Sequence, residues 1–316
     1  MINQDNKKKL IIFDSNAVIH RAYHALPPLT TKDGKLVGAV YGFLLVFLRV
    51  IKEFDPDFMV ATFDTKKPTF RQEAFKEYKA KRPPTPDGII QQIPTIREIL
   101  TKFNVPIFEK DGFEADDIIS TIALLVEEEN YSDIEVIILT GDSDMLQLIS
   151  DQTKVYLLRR GVKDIILYDK KLFQEKFLGL VPEQILDLKS LKGDASDNVP
   201  GVQGIGEKTA TDLILEFGSL ENLFKTLDRS PETEEIKERV RENLIKCRQQ
   251  AFFAKKIIAL EKHAPIDFSL EKCRWKQYSK EAVREILERL EFHSLIKKFF
   301  AEEKTEEKVG RNLNLW

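Results

Sequence analysis

Lys9-Leu10-Ile11-Ile12-Phe13-Asp14 is an apolar run of strand length that closes on a carboxylate. The pattern returns at Phe58-Met59-Val60-Ala61-Thr62-Phe63-Asp64. It returns again at Glu135-Val136-Ile137-Ile138-Leu139-Thr140, with Asp142 two residues further on. Unbroken apolar runs of this length fit strands covered on both faces. Between them the spacing predicts helices over residues 37–53, 89–102 and 114–129. Strands alternating with helices imply an α/β fold with a mostly parallel central sheet flanked by helices. In such sheets functional groups collect outside the carboxyl ends of the strands. Asp14, Asp64 and Asp142 all stand at that end.

From about residue 180 the strand signal fades. Helices are expected over residues 182–191, 207–217, 220–227, 234–258 and 280–298. The expected organisation is an α/β core over 1–180, with a basic segment at about 66–100 that the family resemblance named below implies is a flexible arch. A helical lobe follows over 181–301, and then a mobile tail over 302–316.

The net charge of −3 does not advertise a nucleic-acid partner, so any such case rests on local charge. Cys247 and Cys273 are the only cysteines, too few and too far apart for a disulfide framework or a zinc site. Free thiols suit a reducing cytoplasm. The apolar run at residues 10–13 is too short for a signal peptide. The segment around residues 43–51 is interrupted by Arg49 and falls short of a membrane span, so no membrane association is expected.

Acidic residues recur where the carboxyl edge of the sheet should lie: Asp14; Asp64; Glu114, Asp116 and Asp117; Asp142 and Asp144; Asp194 and Asp197. Any one pair alone reads as a helix cap or a solvated face. Together they pose an electrostatic problem. Two bare carboxylates 4 Å apart repel by roughly 1 kcal/mol in water and about 4 kcal/mol at an effective dielectric of 20. Such a cluster takes up protons or binds cations. All-oxygen donors without a histidine or cysteine partner select Mg²⁺ or Mn²⁺ over zinc. Two such ions are a common arrangement for phosphodiester hydrolysis. No Gly-x-Ser-x-Gly elbow or Walker loop is present, which disfavours a serine hydrolase and a P-loop ATPase.

Two further stretches suggest phosphate binding. Lys66, Lys67, Arg71, Lys76, Lys79, Lys81 and Arg82 interleave with Phe70, Phe75 and Tyr78 directly after Asp64. Cations facing phosphates and rings facing bases suit a single strand. Gly201-Val202-Gln203-Gly204-Ile205-Gly206-Glu207-Lys208-Thr209-Ala210 is a glycine-rich turn running into a helix. Its exposed N–H groups suit phosphate, as in a helix–hairpin–helix module gripping a duplex backbone.

These residues resemble the 5′→3′ exonuclease domain of bacterial DNA polymerase I within the wider flap-endonuclease family. The likeness is carried by residues 21–31, Phe63-Asp64, Phe70-Arg71 through Tyr78-Lys79, Glu114-Ala115-Asp116-Asp117, Thr140-Gly141-Asp142-Ser143-Asp144 and residues 193–210. The resemblance implies a structure-specific 5′ nuclease (5′→3′ exonuclease and 5′-flap endonuclease) that acts in replication and repair and removes RNA primers. It implies that Asp14, Asp64, Glu114 and Asp116 hold one metal with Asp117 nearby, and that Asp142, Asp144, Asp194 and Asp197 hold the second. Arg71 and Lys79 would contact the scissile phosphate, and Arg21 a substrate phosphate. His20 stands where relatives carry a tyrosine that stacks on the terminal base. Tyr78, Lys81 and Arg82 would meet the single strand. Gly201, Gly204, Gly206, Lys208 and Thr209 would meet the duplex, with a K⁺ ion at the hairpin. The expected setting is a monomer in the bacterial cytoplasm, at the nucleoid, with a separate DNA polymerase as partner. A structure-specific DNA-binding protein without catalysis is the alternative; the full acid set argues against it. Asn312-Leu313-Asn314-Leu315-Trp316 resembles a sliding-clamp-binding pentapeptide.

Overall fold

A computed structural model describes residues 7–129, 131–230 and 235–300. The tail from 302 and its clamp-binding reading lie outside the described residues. The N-terminal part runs β1 (Lys8–Asp14), α1 (Ser15–Ala25), α2 (Gly38–Phe54), β2 (Phe58–Thr62), α3 (Phe70–Ala74), α4 (Asp87–Ile90), α5 (Ile93–Lys102), β3 (Ile107–Phe108), α6 (Ala115–Glu128), β4 (Ile134–Thr140), β5 (Thr153–Arg160) and β6 (Asp164–Tyr168). The six strands form one sheet in the order β3-β2-β1-β4-β5-β6. All neighbours are parallel except the β5–β6 pair.

The chain order reverses between β1 and β4, and the carboxyl edge at that switch is where Asp14 sits. Alternation within β1 explains its continuous apolar character. Leu10 and Ile12 face a layer built on Ile118, Ile119 and Ile122 of α6. Ile11 and Phe13 face a second layer built on Val18 and Ile19 of α1 and Phe43 and Phe47 of α2. Each of these side chains is fully buried, worth roughly 1.5–3 kcal/mol apiece.

The remainder comprises α7 (Lys170–Lys176), α8 (Gln184–Lys192), the two-residue strands β7 (Gly193–Asp194) and β8 (Val199–Pro200), α9 (Glu207–Phe217), α10 (Leu220–Arg229), α11 (Glu238–Lys246), α12 (Arg248–Ile258), α13 (Lys280–Arg289) and α14 (His293–Phe299). The helices up to α10 share their apolar layer with α6. The expected single lobe over 181–301 needs correction. Trp275, Val283, Leu287 and Leu295 belong to the opposite layer, with α2 and α5. The chain therefore crosses under the sheet, where Trp275 N donates to Asp57 O at 2.7 Å, and α13 and α14 complete the core.

The arch over 66–100 is also corrected. Residues from Asp87 onward are packed: Ile89, Ile96, Ile99 and Leu100 are buried in the core. The basic stretch before them folds down, with Tyr78 in a small apolar cluster with Val199, Ala254 and Ile257. No helix among the described residues is long and apolar enough to cross a membrane.

Candidate active site

Asp14 ends β1 and caps α1. Its Oδ1 accepts from Ala17 N at 3.1 Å and its Oδ2 from Thr140 Oγ1 at 2.6 Å. It is 3% exposed. Burial pushes its carboxyl up to about 7; Thr140 and Ala17 pull the other way, and Asp64 and Asp142 add to the rise. Asp64, two residues beyond β2, accepts from Ala115 N at 2.8 Å and from Asn16 Nδ2 at 2.9 Å. Ala115 opens α6, so Asp64 lies against the positive end of that helix. Asp116 is held well above the usual carboxylate range by burial, then by Asp14 and Asp142. Asp14, Asp64, Asp116 and Asp142 thus sense one another across three loops at one sheet edge.

The second group faces them. Asp142 Oδ1 accepts from Asp144 N at 2.9 Å and opens a 3₁₀ turn over Ser143–Leu148. Burial and Asp142 push Asp144 up to about 6 in spite of Lys189. Asp194 takes Ser196 N at 2.9 Å, Ser196 Oγ at 2.6 Å and Lys189 Nζ at 2.7 Å. Burial would raise its carboxyl, but Lys189 and Ser196 bring it down to about 2. Lys189 also pairs with Asp144, so one ammonium bridges the pair expected to share a metal. The sequence reading did not single out Lys189. The available signal is its place on α8, five residues before Asp194.

The basic stretch reaches this cluster from above. Lys79 Nζ donates to Glu114 Oε1 at 2.6 Å, and Arg82 pairs with Asp197. Tyr78 Oη lies 2.9 Å from Glu114 Oε2 and 3.0 Å from Asp197 Oδ2, so one proton serves both groups of acids. Tyr78 is 5% exposed and cannot stack on a base; its DNA-binding assignment is corrected. Lys81 is exposed and touches no acid of the cluster in the described structure.

Arg71 is not on the surface either. It is 1% exposed, forked onto Asp117 at 2.6 and 2.7 Å, and cannot meet a phosphate. Asp117 is wholly buried with both oxygens engaged beside Glu114, which leaves it near the expected metal but with no oxygen free to bind it, and the catalytic place of Arg71 is corrected. Charge density along the sequence does not show which cation folds inward.

His20 and Arg21 of α1 line a cavity of about 340 Å³ with His24, Gly141 and Asp142. Arg21 Nη1 and Nη2 donate to Arg159 O and Gly141 O at 2.9 and 2.8 Å. The His20 imidazole is held below its ordinary value by burial, then by His24 and Arg82, which leaves a neutral ring at the cavity wall.

The hairpin follows directly on the Asp194–Asp197 loop. Gly193, at φ +84°, and Gly201 lie back to back: a Cβ on Gly201 would meet Gly193 N at 2.2 Å. No other residue fits there. Val202 and Ile205 are buried and anchor the turn, while Gly204, Gly206 and Lys208 face outward and Thr209 is half-buried. Gly206 is the N-cap of α9 without a side-chain cap, so the first N–H groups of that helix have no side-chain partner at its positive end, and Lys208 is exposed in its first turn.

Among the described residues no three His, Cys, Asp or Glu side chains converge as a ready-made ion cage. The reason lies in the contacts above: Lys79, Arg82, Lys189 and the Tyr78 hydroxyl occupy carboxylate oxygens of both groups. The donor chemistry nonetheless fits hard divalent cations. It is all oxygen and partly buried, and burial first, then the neighbouring carboxylates, makes Asp14, Asp116 and Asp144 hold protons abnormally well.

Two family descriptions cover this geometry. Residues 9–178 match the 5′-3′ exonuclease N-terminal resolvase-like domain, and residues 180–281 match the 5′-3′ exonuclease C-terminal SAM fold. DNA polymerase I of Bacillus caldotenax is 41% identical over 303 residues, covering 96% of this chain and 33% of that protein. The thermostable DNA polymerase I of Thermus thermophilus is 40% identical over 295 residues, covering 93% and 33%. The chain thus spans about a third of the length of the curated relatives it matches. Among solved structures, a T5 5′-exonuclease with bound zinc superposes with a TM-score of 0.64 at 21% identity, covering 90% of this chain and 98% of that one. The catalytic core of Rad2 in complex with DNA substrate superposes at 0.61 and 18% identity, covering 94% and 91%. These last two likenesses establish the fold.

Proposed function

The chain belongs to the 5′-3′ exonuclease family, and from that premise we propose that it is a structure-specific 5′ nuclease hydrolysing DNA phosphodiesters at 5′ ends and flaps. The observation that carries this reading is the approach of two acid groups, from β1, β2 and α6 on one side and from the end of β4 and the β7–β8 loop on the other, joined by Tyr78 and lying against Lys79, Arg82 and Lys189.

We infer two divalent cations, Mg²⁺ or Mn²⁺, with Asp14, Asp64, Glu114 and Asp116 holding one and Asp142, Asp144, Asp194 and Asp197 the other. When bound, such ions supply a nucleophile at neutral pH and offset charge on the leaving oxygen. The protein does the rest. Glu114 and Asp197 share the Tyr78 proton, which keeps the two acid groups in fixed relation. Lys79 and Arg82, paired here with Glu114 and Asp197, are long and flexible enough to turn to a substrate phosphate and would give it charge-assisted hydrogen bonds. The hairpin N–H groups and Lys208 hold duplex backbone without reading bases. A K⁺ ion at that turn, a base stacked on the His20 ring, and substrate contacts from Arg21 and Lys81 belong to the same reading. So do RNA-primed ends as substrates, a role in replication and repair, a separate polymerase as partner, a monomeric state and a cytoplasmic, nucleoid setting. Binding of a sliding clamp through residues 312–316 would show as affinity lost on their removal.

The test is a 5′-labelled flap duplex incubated with the protein and Mg²⁺ or EDTA. Release of the labelled flap with Mg²⁺ and none with EDTA is expected. A protein that binds the flap but never cuts it across a range of divalent cations would overturn the reading in favour of a non-catalytic binder.

A further inference from the structure

Arg71 is almost wholly buried, yet all three guanidinium nitrogens are used. Nε donates to Ile257 O at 2.8 Å, Nη2 to Ala259 O at 2.7 Å, the fork takes both oxygens of Asp117, and Nη1 also reaches Glu114 Oε2 at 3.4 Å. Asp117 in turn accepts from Glu114 N at 3.0 Å and Glu261 N at 2.9 Å. Three pieces of chain meet here: α3 at the root of the basic stretch, the first turn of α6, and the end of α12.

The charges sit where the helices want them. Asp117 lies in the first turn of α6, its positive end, and closes a capping box with Glu114. Arg71 faces the last carbonyls of α12, its negative end. A buried pair is costly to desolvate and persists only when its remaining hydrogen bonds are filled, as they are here. Its neighbours are functional. Glu114 is the other half of the box, and Asp116 lies on the same helix turn. Beyond α3 the chain runs to Lys79, whose backbone N–H donates to Asp197 O at 2.9 Å. On the far side, α12 packs on the hairpin's base, where Gln250 Nε2 donates to Pro200 O at 2.8 Å.

We propose that Arg71 and Asp117 form a positioning latch, distinct from the metal ligands, that sets the Glu114–Asp116 turn against the Asp194–Asp197 loop through α3 and α12. The proposal rests on the nuclease reading of the cluster. It makes Arg71 and Asp117 one unit: losing either partner should have the effect of losing both. Lysine cannot replace Arg71, because one ammonium cannot fork onto Asp117 and still cap two carbonyls.

Arg71→Gln, Arg71→Lys, Asp117→Asn and the double variant R71Q/D117N test this. Single-turnover cleavage of a flap duplex should fall about 10–100-fold in each single variant, with the DNA dissociation constant little changed. The double variant should be no slower than the worse single one. Mg²⁺ binding to the DNA-free protein, followed by calorimetry, should weaken by the same factor in Arg71→Gln and Asp117→Asn. Mg²⁺ binding weakened only in Asp117→Asn would make Asp117 a metal ligand and overturn the latch. Cleavage unchanged in variants that merely melt at lower temperature would reduce it to a stability element and also overturn it. If glutamine unfolds the protein, Arg71→Lys and the calorimetry still decide. Failure of the wild type to cleave would defeat the nuclease reading instead, while equal loss of Mg²⁺ binding in both partners would still support the latch.

Discussion

Asp14 shows at the residue scale how a site is held in tension. Folded and metal-free, it keeps its proton up to about 7, against an ordinary value of 3.8. Between those values the folded chain binds more protons than the unfolded one, so stability falls as pH rises through that window and levels off above it. Asp14→Asn removes the buried charge and keeps the acceptor for Ala17 N. The variant should be more stable than wild type at pH 8 without metal, on the order of 2 kcal/mol, and nearly equal near pH 4. Thermal melts in EDTA at the two pH values check this; a variant less stable at pH 8 would contradict the account of Asp14. The cysteines offer a second residue-scale check. Cys273 is 1% exposed, its thiol pushed up to about 12 by burial, whereas Cys247 is half-buried. Alkylation of the folded protein at pH 8 should modify Cys247 first and Cys273 only on unfolding; equal rates would contradict the packing of the 270–273 turn. Legibility also differed by residue. The carboxylates at strand ends were readable because strand and acid are adjacent in sequence. The bridge from Lys189 to Asp144 and the inward turn of Arg71 were not, because those partners lie 45 and 46 residues away.

Elements were readable where one helix or strand carries its own apolar pattern. β1, β2, β4, α2, α6 and α9 fall within a residue or two of expectation, short of Phe63-Asp64 at the end of β2. β3, of two residues, and the β5–β6 hairpin escaped notice, since β5 opens on polar Thr153-Lys154 and β6 is a half-buried edge. Helices expected over 234–258 and 280–298 each break in two, at Cys247 and around Glu291, whose φ of 60° ends any helix. The hairpin is the element with the sharpest consequences. Gly201→Ala would drive a methyl into the Gly193 backbone and should unfold the turn, lowering both stability and duplex affinity. Lys208→Ala should leave the fold intact and weaken binding across sequences, lowering the salt dependence of log affinity by roughly one. A Lys208→Ala protein with unchanged salt slope would remove the hairpin from the duplex-binding surface.

At the scale of the whole molecule, the α/β class and a site at the carboxyl ends of the strands followed from the sequence, but the strand order and the closure did not. The last helices return beneath the sheet and seal the α2 face, through contacts separated by more than two hundred residues, such as Lys276 with Asp55. The basic stretch closes over the acids in the same long-range way, through Tyr78, Lys79 and Arg82. The central claim is that this closed cluster cuts phosphodiesters with divalent cations held by its acids. Asp142 is the acid to test, because it faces both groups. The direct measurement is cleavage of a 5′-flap duplex with Mg²⁺ by wild type and Asp142→Ala at equal DNA occupancy. Release of the flap by wild type, and a rate lower by about a thousandfold or more in the variant, is the predicted result. Equal rates in the two proteins would contradict the placement of the metal site.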